Sequence, residues 1–377
     1  MKVALIRKAY TPFGGAERHV DRFLDALLER GHAVHLFTAR WRASGPPREG
    51  FRVVRVPVIR GARWAEAWSF AVSASRLAAA GVYDVVHSFD RVRRCDIYRA
   101  GDGVHREWLR RRREAQPRWR RAIPSFNPLH LVYLALERGL FEGGCRAIVA
   151  NSRRGREDIL AHYRAHPDRI HVIYNGVDLD RWQVPDAARR LAARRAAGIG
   201  DDERLVLLVG SGFDRKGVAT AVRALARLKH HSARLAVVGR GRSHPHARLA
   251  ASLGVGDRVR FAEPVQDLST WYAAADLLLL PTVYDPFANV CLEALACGVP
   301  VVTSAANGAA EVLTEETGVV VEAASDAAGF ARAVDAVLEW GPSRAGACRR
   351  VAERYSLERH LREMLSLYEA VRASSRR

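Results

Sequence analysis

Short apolar runs separated by segments with helical spacing make up most of this chain. In the first half the apolar runs lie at residues 3–6, 34–37, 83–87, 147–150 and 171–173. Between the first two runs, Gly14-Gly15 precedes an amphipathic stretch at residues 20–28, which predicts a helix. Strands that alternate with crossover helices are typical of a parallel sheet.

A second set of apolar runs begins at Leu205, after a polar stretch that follows Tyr174-Asn175-Gly176-Val177-Asp178. Its members lie at residues 205–209, 235–238, 259–261, 276–280, 300–303 and 318–321. Near-continuous apolar strands belong to sheets that are covered on both faces. The chain, 377 residues long, also exceeds what one ordinary core holds.

We therefore predict an α/β fold of two tandem Rossmann-like, doubly wound domains. The N-terminal domain covers residues 1–178 and the C-terminal domain residues 179–356. A helix at residues 357–377 follows and is expected to pack back toward the N-terminal domain. Open α/β sheets bind ligands outside the carboxyl ends of their strands, so we expect the active site where two such edges face each other across a cleft.

The chain carries 60 Lys and Arg against 41 Asp and Glu, a formal charge of +19. Such an excess predicts attraction to a polyanion, and nucleic acid, anionic lipid and phosphorylated glycan all qualify. No apolar stretch approaches the roughly 20 residues of a spanning helix. Five scattered cysteines lack paired metal-site or redox spacing, so we expect them to be reduced and the protein to be cytosolic.

Two adjacent cations stand in Phe213-Asp214-Arg215-Lys216-Gly217, directly after the apolar run at residues 205–209. Arg215 offers a planar fork for phosphate oxygens, while Lys216 supplies a compact charge. Together they suit a diphosphate. Taken alone, the segment would equally suit a solvated turn between a strand and a helix.

The second chemical segment follows the run at residues 276–280 and ends in an apolar helix. The first amides of that helix, at Ala288, Asn289 and Val290, can receive phosphate oxygens. Asp285 lies at the helix entrance and Glu293 on its second turn, where both can accept hydrogen bonds from sugar and ribose hydroxyls. An N-capping Asp and a surface Glu would explain each residue singly, but not a Glu inside an otherwise apolar helix.

Asp285 and Glu293, with seven residues between them, resemble the E-x7-E signature of glycosyltransferase family 4. These are two-domain enzymes of the GT-B fold that transfer sugars from nucleotide diphosphate sugars with retention of configuration. The resemblance covers nearly the whole chain. Within the family, three segments are most similar to lipopolysaccharide core glucosyltransferases: Phe13-Gly14-Gly15-Ala16-Glu17-Arg18, Val209-Gly210-Ser211-Gly212-Phe213-Asp214-Arg215-Lys216-Gly217 and Ala273-Ala274-Ala275-Asp276-Leu277-Leu278-Leu279.

The resemblance implies roles for individual residues. Glu293 would bind the ribose hydroxyls, and Arg215 with Lys216 the diphosphate. Gly14 and Gly15 would let the N-terminal loop approach the phosphate. Two carboxylates complete this set: Asp285, which stands near the sugar hydroxyls where the family usually has Glu, and Asp102, which matches an N-domain position near the donor. A loop Asp between glycines is the competing interpretation of Asp102.

The implied chemistry is attack by an acceptor hydroxyl on the anomeric carbon, from the face that the diphosphate leaves. Arg215 and Lys216 would stabilise the departing charge in place of a metal. No DxD-type acidic pair stands at a strand end, so we predict a metal-independent enzyme without cofactors. The histidines at residues 230–231 and 244–246 lack partners at ligand spacing. A sugar phosphorylase of this fold would use phosphate instead of a nucleotide, and would leave Glu293 without a ribose.

Residues 106–121 hold eight arginines around Trp108 and Trp119. Cations and indoles together suit an anionic membrane interface, a nucleic acid on which bases stack, or a solvated helical face. The resemblance favours the membrane, with Trp108, Trp119 and four arginines facing membrane or acceptor: Arg110, Arg111, Arg112 and Arg113. It implies a glucose transfer from UDP-glucose to a lipopolysaccharide core heptose or similar lipid-linked glycan, at the inner face of the cytoplasmic membrane. A nucleic-acid-binding α/β protein is the alternative.

Overall fold

The computed structural model describes residues 1–10, 15–41, 49–114, 126–265 and 267–375. The chain forms two compact units, one made of Met1–Tyr174 with His360–Arg377 and the other of Asn175–Arg359. The sequence places the first boundary at residue 178. The structure places it before Asn175, because the backbone of Val177 is hydrogen-bonded to Tyr355 and Leu357, which extend the second unit.

Seven parallel strands form the sheet of the first unit, in the order β5-β3-β1-β6-β7-β8-β9. The four apolar residues at the end of the central strand, Val3, Ala4, Leu5 and Ile6, are fully buried, as expected of a sheet covered on both faces. A separate pair, β2 and β4, is also parallel. The strands are β1 (Lys2–Ile6), β2 (Ala9–Tyr10), β3 (Ala33–Thr38), β4 (Arg40–Trp41), β5 (Phe51–Arg55), β6 (Val85–Ser88), β7 (Ile97–Arg99), β8 (Ala147–Ala150) and β9 (Ile170–Val172).

Helices connect these strands, and local signals set where some of them begin. Asn127 caps one by accepting from the Leu129 amide at 3.0 Å, with Pro128 at the first position. Ser152 caps the next by accepting from Gly155. The helices are Gly15–Glu29, Arg63–Ala79, His105–Glu114, Pro128–Gly139 and Arg153–His162, with a π turn at Leu140–Gly144 and a 3-10 turn at Pro167–Arg169.

The last helix, Leu357–Ser375, contributes its residues from His360 onward to the first unit. Tyr368 on this helix is fully buried, and its hydroxyl lies 2.6 Å from His87 Nδ1. Its ring packs edge-on against Phe23. This helix therefore contributes to the first unit's core.

Six parallel strands form the second sheet, in the order β12-β11-β10-β13-β14-β15. The six strands predicted for this half all form, and the α/β class with two doubly wound sheets is confirmed. The strands are β10 (Arg204–Val209), β11 (Ala233–Val238), β12 (Val259–Ala262), β13 (Leu277–Leu280), β14 (Val301–Ser304) and β15 (Gly318–Val321).

Eight helices of the second unit are described, with caps at several ends. Asp186 and Asp326 accept from the amides of Arg189 and Gly329, and Gly198 ends the first helix with a φ of 68°. The helices are Ala187–Ala197, Phe213–Lys216, Val218–Leu225, Ser243–Ser252, Ser269–Ala274, Asn289–Ala296, Ala327–Leu338 and Ala345–Arg354, with 3-10 turns at Gly256–Arg258, Gly308–Val312 and Gly341–Arg344. Among the described residues, no helix is both long and apolar enough to cross a bilayer.

Candidate active site

Arg215 and Lys216 lie in a one-turn helix, Phe213–Lys216, at the carboxyl end of β10. The next residue, Gly217, has a φ of 76°, and a Cβ there would lie 1.9 Å from the carbonyl oxygen of Pro281. Only glycine fits this approach of the loop after β10 to the loop after β13. The two loops are also joined by hydrogen bonds from Thr282 Oγ1 and the Val283 amide to the Arg215 carbonyl, both at 2.9 Å.

Asp285 in the second loop binds both cations. Lys216 Nζ lies 2.7 Å and Arg215 Nη1 3.0 Å from the same oxygen, Asp285 Oδ2. Lys216 and Asp285 are buried, whereas the Arg215 side chain is 39% exposed. Burial acts to raise the pKa of Asp285, but the charges and hydrogen bonds of Lys216 and Arg215 outweigh it and lower that pKa. The structure thus holds two cations beside one ionised carboxylate.

Ala288 is the N-cap residue of the helix that follows, Asn289–Ala296, so Asp285, three residues earlier, is not its cap. The Ala288 amide donates to Asn307 Oδ1 at 3.2 Å. The sequence predicts a free backbone amide at Ala288 that receives a phosphate oxygen. In the structure the side-chain oxygen of the buried Asn307 accepts from this amide instead. Asn289 and Val290 form the first turn as predicted, and Asn289 Oδ1 accepts from Asn175 Nδ2.

Glu293 lies on the second turn of this helix and is only 9% exposed. The hydroxyl of Tyr272 donates to Glu293 Oε2 at 2.9 Å. Glu293 is therefore not a surface glutamate. Burial raises the pKa of the nearby Cys291 thiol to about 12, and the charges of Lys216 and Glu293 both act on that thiol, so both charges lie near Cys291.

Asp102 belongs to the first unit, in the turn after β7, and its side chain is 57% exposed. A carboxylate oxygen lies 3.7 Å from the guanidinium of Arg91. Gly15 is the first residue of the Gly15–Glu29 helix, and Gly14 lies outside the described residues. The roles near the donor that the resemblance implies for these three residues stay predictions.

Arg91 connects the Asp102 turn to a buried carboxylate, Glu137, which is 0% exposed. Glu137 accepts from Arg91 at 2.8 and 2.9 Å, from the His105 amide at 2.8 Å and from the Tyr163 hydroxyl at 2.8 Å. Burial, followed by the charge and hydrogen bond of Glu137, raises the pKa of Tyr163, which keeps its hydroxyl a donor. Glu137 thus satisfies donors from three segments of the first unit.

The described part of the basic segment is the His105–Glu114 helix, and residues 115–125, including Trp119, lie outside the described residues. Glu107, which is buried, accepts from Arg110, Arg111 and His162 at 2.5 to 2.9 Å. Burial alone would raise the pKa of Glu107, but the hydrogen bonds from Arg110, His162 and Arg111 lower it to about 2. Two of the arginines predicted to face a membrane or acceptor are therefore paired within the protein.

Trp108 is half-buried and packs against imidazoles. Its ring stacks on His105 at 5.3 Å, and the Arg112 guanidinium lies 5.1 Å from its centroid. Burial, with the charge of Arg91 and the neighbouring His130, lowers the pKa of His105 to about 3, so the His105 imidazole is neutral near pH 7. Arg112 and Arg113 are exposed.

Sequence reasoning missed Asn307 and Tyr272. Asn307 is buried, and besides the Ala288 amide it accepts from the Ala309 amide and donates to Thr303 Oγ1, both at 3.0 Å. Its position just after β14 was a usable signal, because polar residues after parallel strands line the binding edge of a sheet. Tyr272 had no such signal, since it looks like one more core aromatic.

The histidine-rich stretches have other partners. His230 lies 3.0 Å from Asp335 and 2.9 Å from Glu339, and His246 packs edge-on against Phe213. Within the described residues, no group of three or more His, Cys, Asp or Glu side chains could hold a metal ion.

Comparison with known proteins gives two family matches. The model described as Glycosyltransferase Family 4 matches residues 13–181, and the model described as Glycosyl transferases group 1 matches residues 203–339. Together they cover every strand of the second sheet and every strand of the seven-stranded first sheet except β1 (Lys2–Ile6).

Individual relatives match across most of the chain. Lipopolysaccharide glucosyltransferase WaaG of Escherichia coli (strain K12) is 31% identical over 325 residues, 84% of this chain and 83% of that protein. D-inositol 3-phosphate glycosyltransferase of Xylanimonas cellulosilytica is 30% identical over 398 residues, 94% of this chain and 91% of that protein.

Solved structures share the fold. The crystal structure of WaaG, a glycosyltransferase involved in lipopolysaccharide biosynthesis, superposes with a TM-score of 0.83 at 27% identity, covering 97% of this chain and 99% of that one. HepE of Anabaena, solved with UDP and glucose, gives a TM-score of 0.76 at 18% identity, covering 98% and 100%.

Proposed function

The chain belongs to glycosyltransferase family 4 and has its GT-B fold, and we propose that it moves a hexose from a nucleotide diphosphate sugar to a lipid-linked glycan with retention of configuration. The observation that carries this is the pair Arg215 and Lys216, bound to one buried carboxylate where β10 and β13 end. We propose glucose as the sugar, UDP-glucose as the donor and a lipopolysaccharide core heptose as the acceptor. The name of the WaaG relative and the UDP and glucose held by HepE support this choice.

The donor would bind by exchanging partners with Asp285. Arg215 and Lys216 leave the Asp285 oxygen for the diphosphate, whose charge exceeds that of one carboxylate. Asp285 is then free to accept from a hydroxyl of the sugar, although it is one methylene shorter than the usual glutamate of the family. Glu293 accepts from the ribose hydroxyls at the other end of the same donor.

In the chemical step, the oxygen of an acceptor hydroxyl forms a bond to the anomeric carbon on the face from which the diphosphate leaves. The bond between that carbon and the diphosphate oxygen breaks, and the departing phosphate takes the acceptor proton. Charge thus builds on the leaving oxygen, where Arg215 and Lys216 stabilise it without a divalent cation. Fixed charges in a partly buried site cost little reorganisation at that moment.

A panel of nucleotide sugars is expected to identify the donor. The correct donor raises the thermal midpoint with its concentration, because it binds only the folded state. Release of nucleoside diphosphate from that donor, in the presence of an acceptor, is expected to continue at full rate in EDTA. Loss of turnover in EDTA would contradict the metal-independent mechanism. Salt-sensitive binding of DNA or RNA without turnover of any nucleotide sugar would instead favour the nucleic-acid alternative.

We further propose that the protein works at the cytoplasmic face of a membrane, held peripherally. Support comes from Trp64 and Trp68, one turn apart on the Arg63–Ala79 helix and 47% and 41% exposed. This helix packs against the Pro128–Gly139 helix, where Leu131 is 52% exposed. Arg63 and Arg112 both lower the pKa of His130, after burial, so these cations share the same region. Half-exposed indoles beside arginines suit an anionic interface.

Replacing Trp64 and Trp68 together with alanine is expected to weaken binding to phosphatidylglycerol vesicles by more than about tenfold. The exposed fractions of the two residues, 47% and 41%, amount to on the order of 100 Å² each, at roughly 25 cal/mol per Å². Vesicle co-sedimentation measures this. Trp340→Ala is the matched control, because that indole also lies beside an arginine but in the second unit. An Arg110→Ala/Arg111→Ala variant should lose less, since Glu107 already pairs both arginines; the reverse ranking would count against the indoles.

A further inference from the structure

Tyr272 is a fully buried side chain whose only polar group meets the Glu293 carboxylate. Its hydroxyl donates to Glu293 Oε2 at 2.9 Å and lies 3.5 Å from the Val290 carbonyl of the same helix. Trp182 packs edge-on against its ring, with centroids 5.4 Å apart and planes at 89°. The ring is thus held between the helix that carries Glu293 and the chain segment before the second sheet.

This hydrogen bond limits how Glu293 can turn. A glutamate has three rotatable bonds, and its carboxylate can accept about four hydrogen bonds. The Tyr272 hydroxyl holds Oε2, and this bond restricts rotation of the carboxylate. Burial, and then the charge and hydrogen bond of Glu293, raises the pKa of Tyr272 well above its usual range, so the phenol remains a donor at any working pH.

We infer that Tyr272 is a positioning residue for the nucleotide donor, which acts by holding Glu293 in the orientation that receives the two ribose hydroxyls. This rests on the proposed function, in which Glu293 is the ribose ligand. Tyr272 itself does not touch the ribose. Its effect should therefore appear only with nucleotides that carry ribose hydroxyls, and only while Glu293 is present.

The test compares Tyr272→Phe with the unchanged protein in binding UDP and 2′,3′-dideoxy-UDP by calorimetry. Tyr272→Phe is expected to weaken UDP binding about tenfold, the scale of one hydrogen bond to a charged group. Binding of the dideoxy nucleotide should stay within about twofold. With UDP-glucose, KM should rise while kcat changes little. Tyr355→Phe is the control, a half-buried tyrosine of the same unit beside Arg359.

A double-mutant cycle of Tyr272→Phe and Glu293→Gln distinguishes a tyrosine that positions Glu293 from one that only packs in the core. The double variant Tyr272→Phe/Glu293→Gln should bind UDP no more weakly than Glu293→Gln alone, because the tyrosine acts through the carboxylate. Equal losses for UDP and the dideoxy nucleotide, or additive losses in the cycle, would overturn the inference. If Glu293→Gln removes the preference for UDP over the dideoxy nucleotide but Tyr272→Phe keeps it, the inference about Tyr272 fails while Glu293 remains the ribose ligand. If the unchanged protein binds UDP and the dideoxy nucleotide equally, the inference about Tyr272 and the ribose role of Glu293 are both wrong.

Discussion

Lys216→Ala is expected to lower the rate of sugar transfer by about 10²–10³-fold, which corresponds to roughly 3–4 kcal/mol of lost transition-state stabilisation. The reason is position: Nζ of Lys216 is buried 2.7 Å from Asp285, so the leaving diphosphate would meet it out of bulk water. Arg215 alone, with a side chain 39% exposed, supplies a weaker field. Steady-state release of nucleoside diphosphate from the identified donor measures the effect.

Lys229→Ala is the matched control, since Lys229 belongs to the same unit and is exposed. The chain has four lysines, Lys2, Lys8, Lys216 and Lys229, so few alternative ammonium groups could substitute. Removing Lys216 also leaves the buried Asp285 with one cation, and thermal unfolding of both variants shows how much stability this costs. Turnover by a folded Lys216→Ala protein at more than about a tenth of the unchanged rate would contradict its role at the leaving group.

Glu137→Gln is expected to destabilise the first unit by about 3–5 kcal/mol, the range for a buried ion pair that loses one partner. The substitution keeps the shape but leaves the Arg91 charge buried beside a neutral amide. Hydrogen exchange within residues 126–163, followed by mass spectrometry, is the suitable measurement, because a chain of two units need not unfold in one step.

Glu142→Gln is the comparison for this variant. Glu142 pairs with Arg138 at 3.5 Å in a partly exposed ion pair, which should contribute at most about 1 kcal/mol. Faster exchange in Glu137→Gln but not in Glu142→Gln supports the buried network. Equal exchange in the two variants would show that the first unit does not depend on Glu137.

The strands that the sequence predicted correctly are mostly apolar, and β1, β10 and β13 hold unbroken apolar runs of four or more residues. The missed strands are short or polar. β7 has three residues and ends in Arg99, and β5 lies at the sheet edge, where Arg52 and Arg55 face outward. Hydrophobic periodicity cannot detect such strands, because their burial comes from the neighbours that the fold supplies.

Within the candidate site, Glu293 stood out because an acid in an apolar helix is unusual. Asn307 did not, although it fills the position foreseen for a phosphate oxygen at Ala288. The cation count of the basic segment was plain from the sequence, but its pairing was not. Glu107 neutralises Arg110 and Arg111 only because the helix places all three on one side.

The first unit is assembled from two distant stretches of chain, which affects how a newly made molecule can fold. Met1–Tyr174 leaves the ribosome well before Tyr368, which packs against His87 and Phe23. Asn175–Arg359 is complete before that residue exists. We therefore expect the second unit to fold during synthesis before the first, whose core stays incomplete until the Leu357–Ser375 helix has been made.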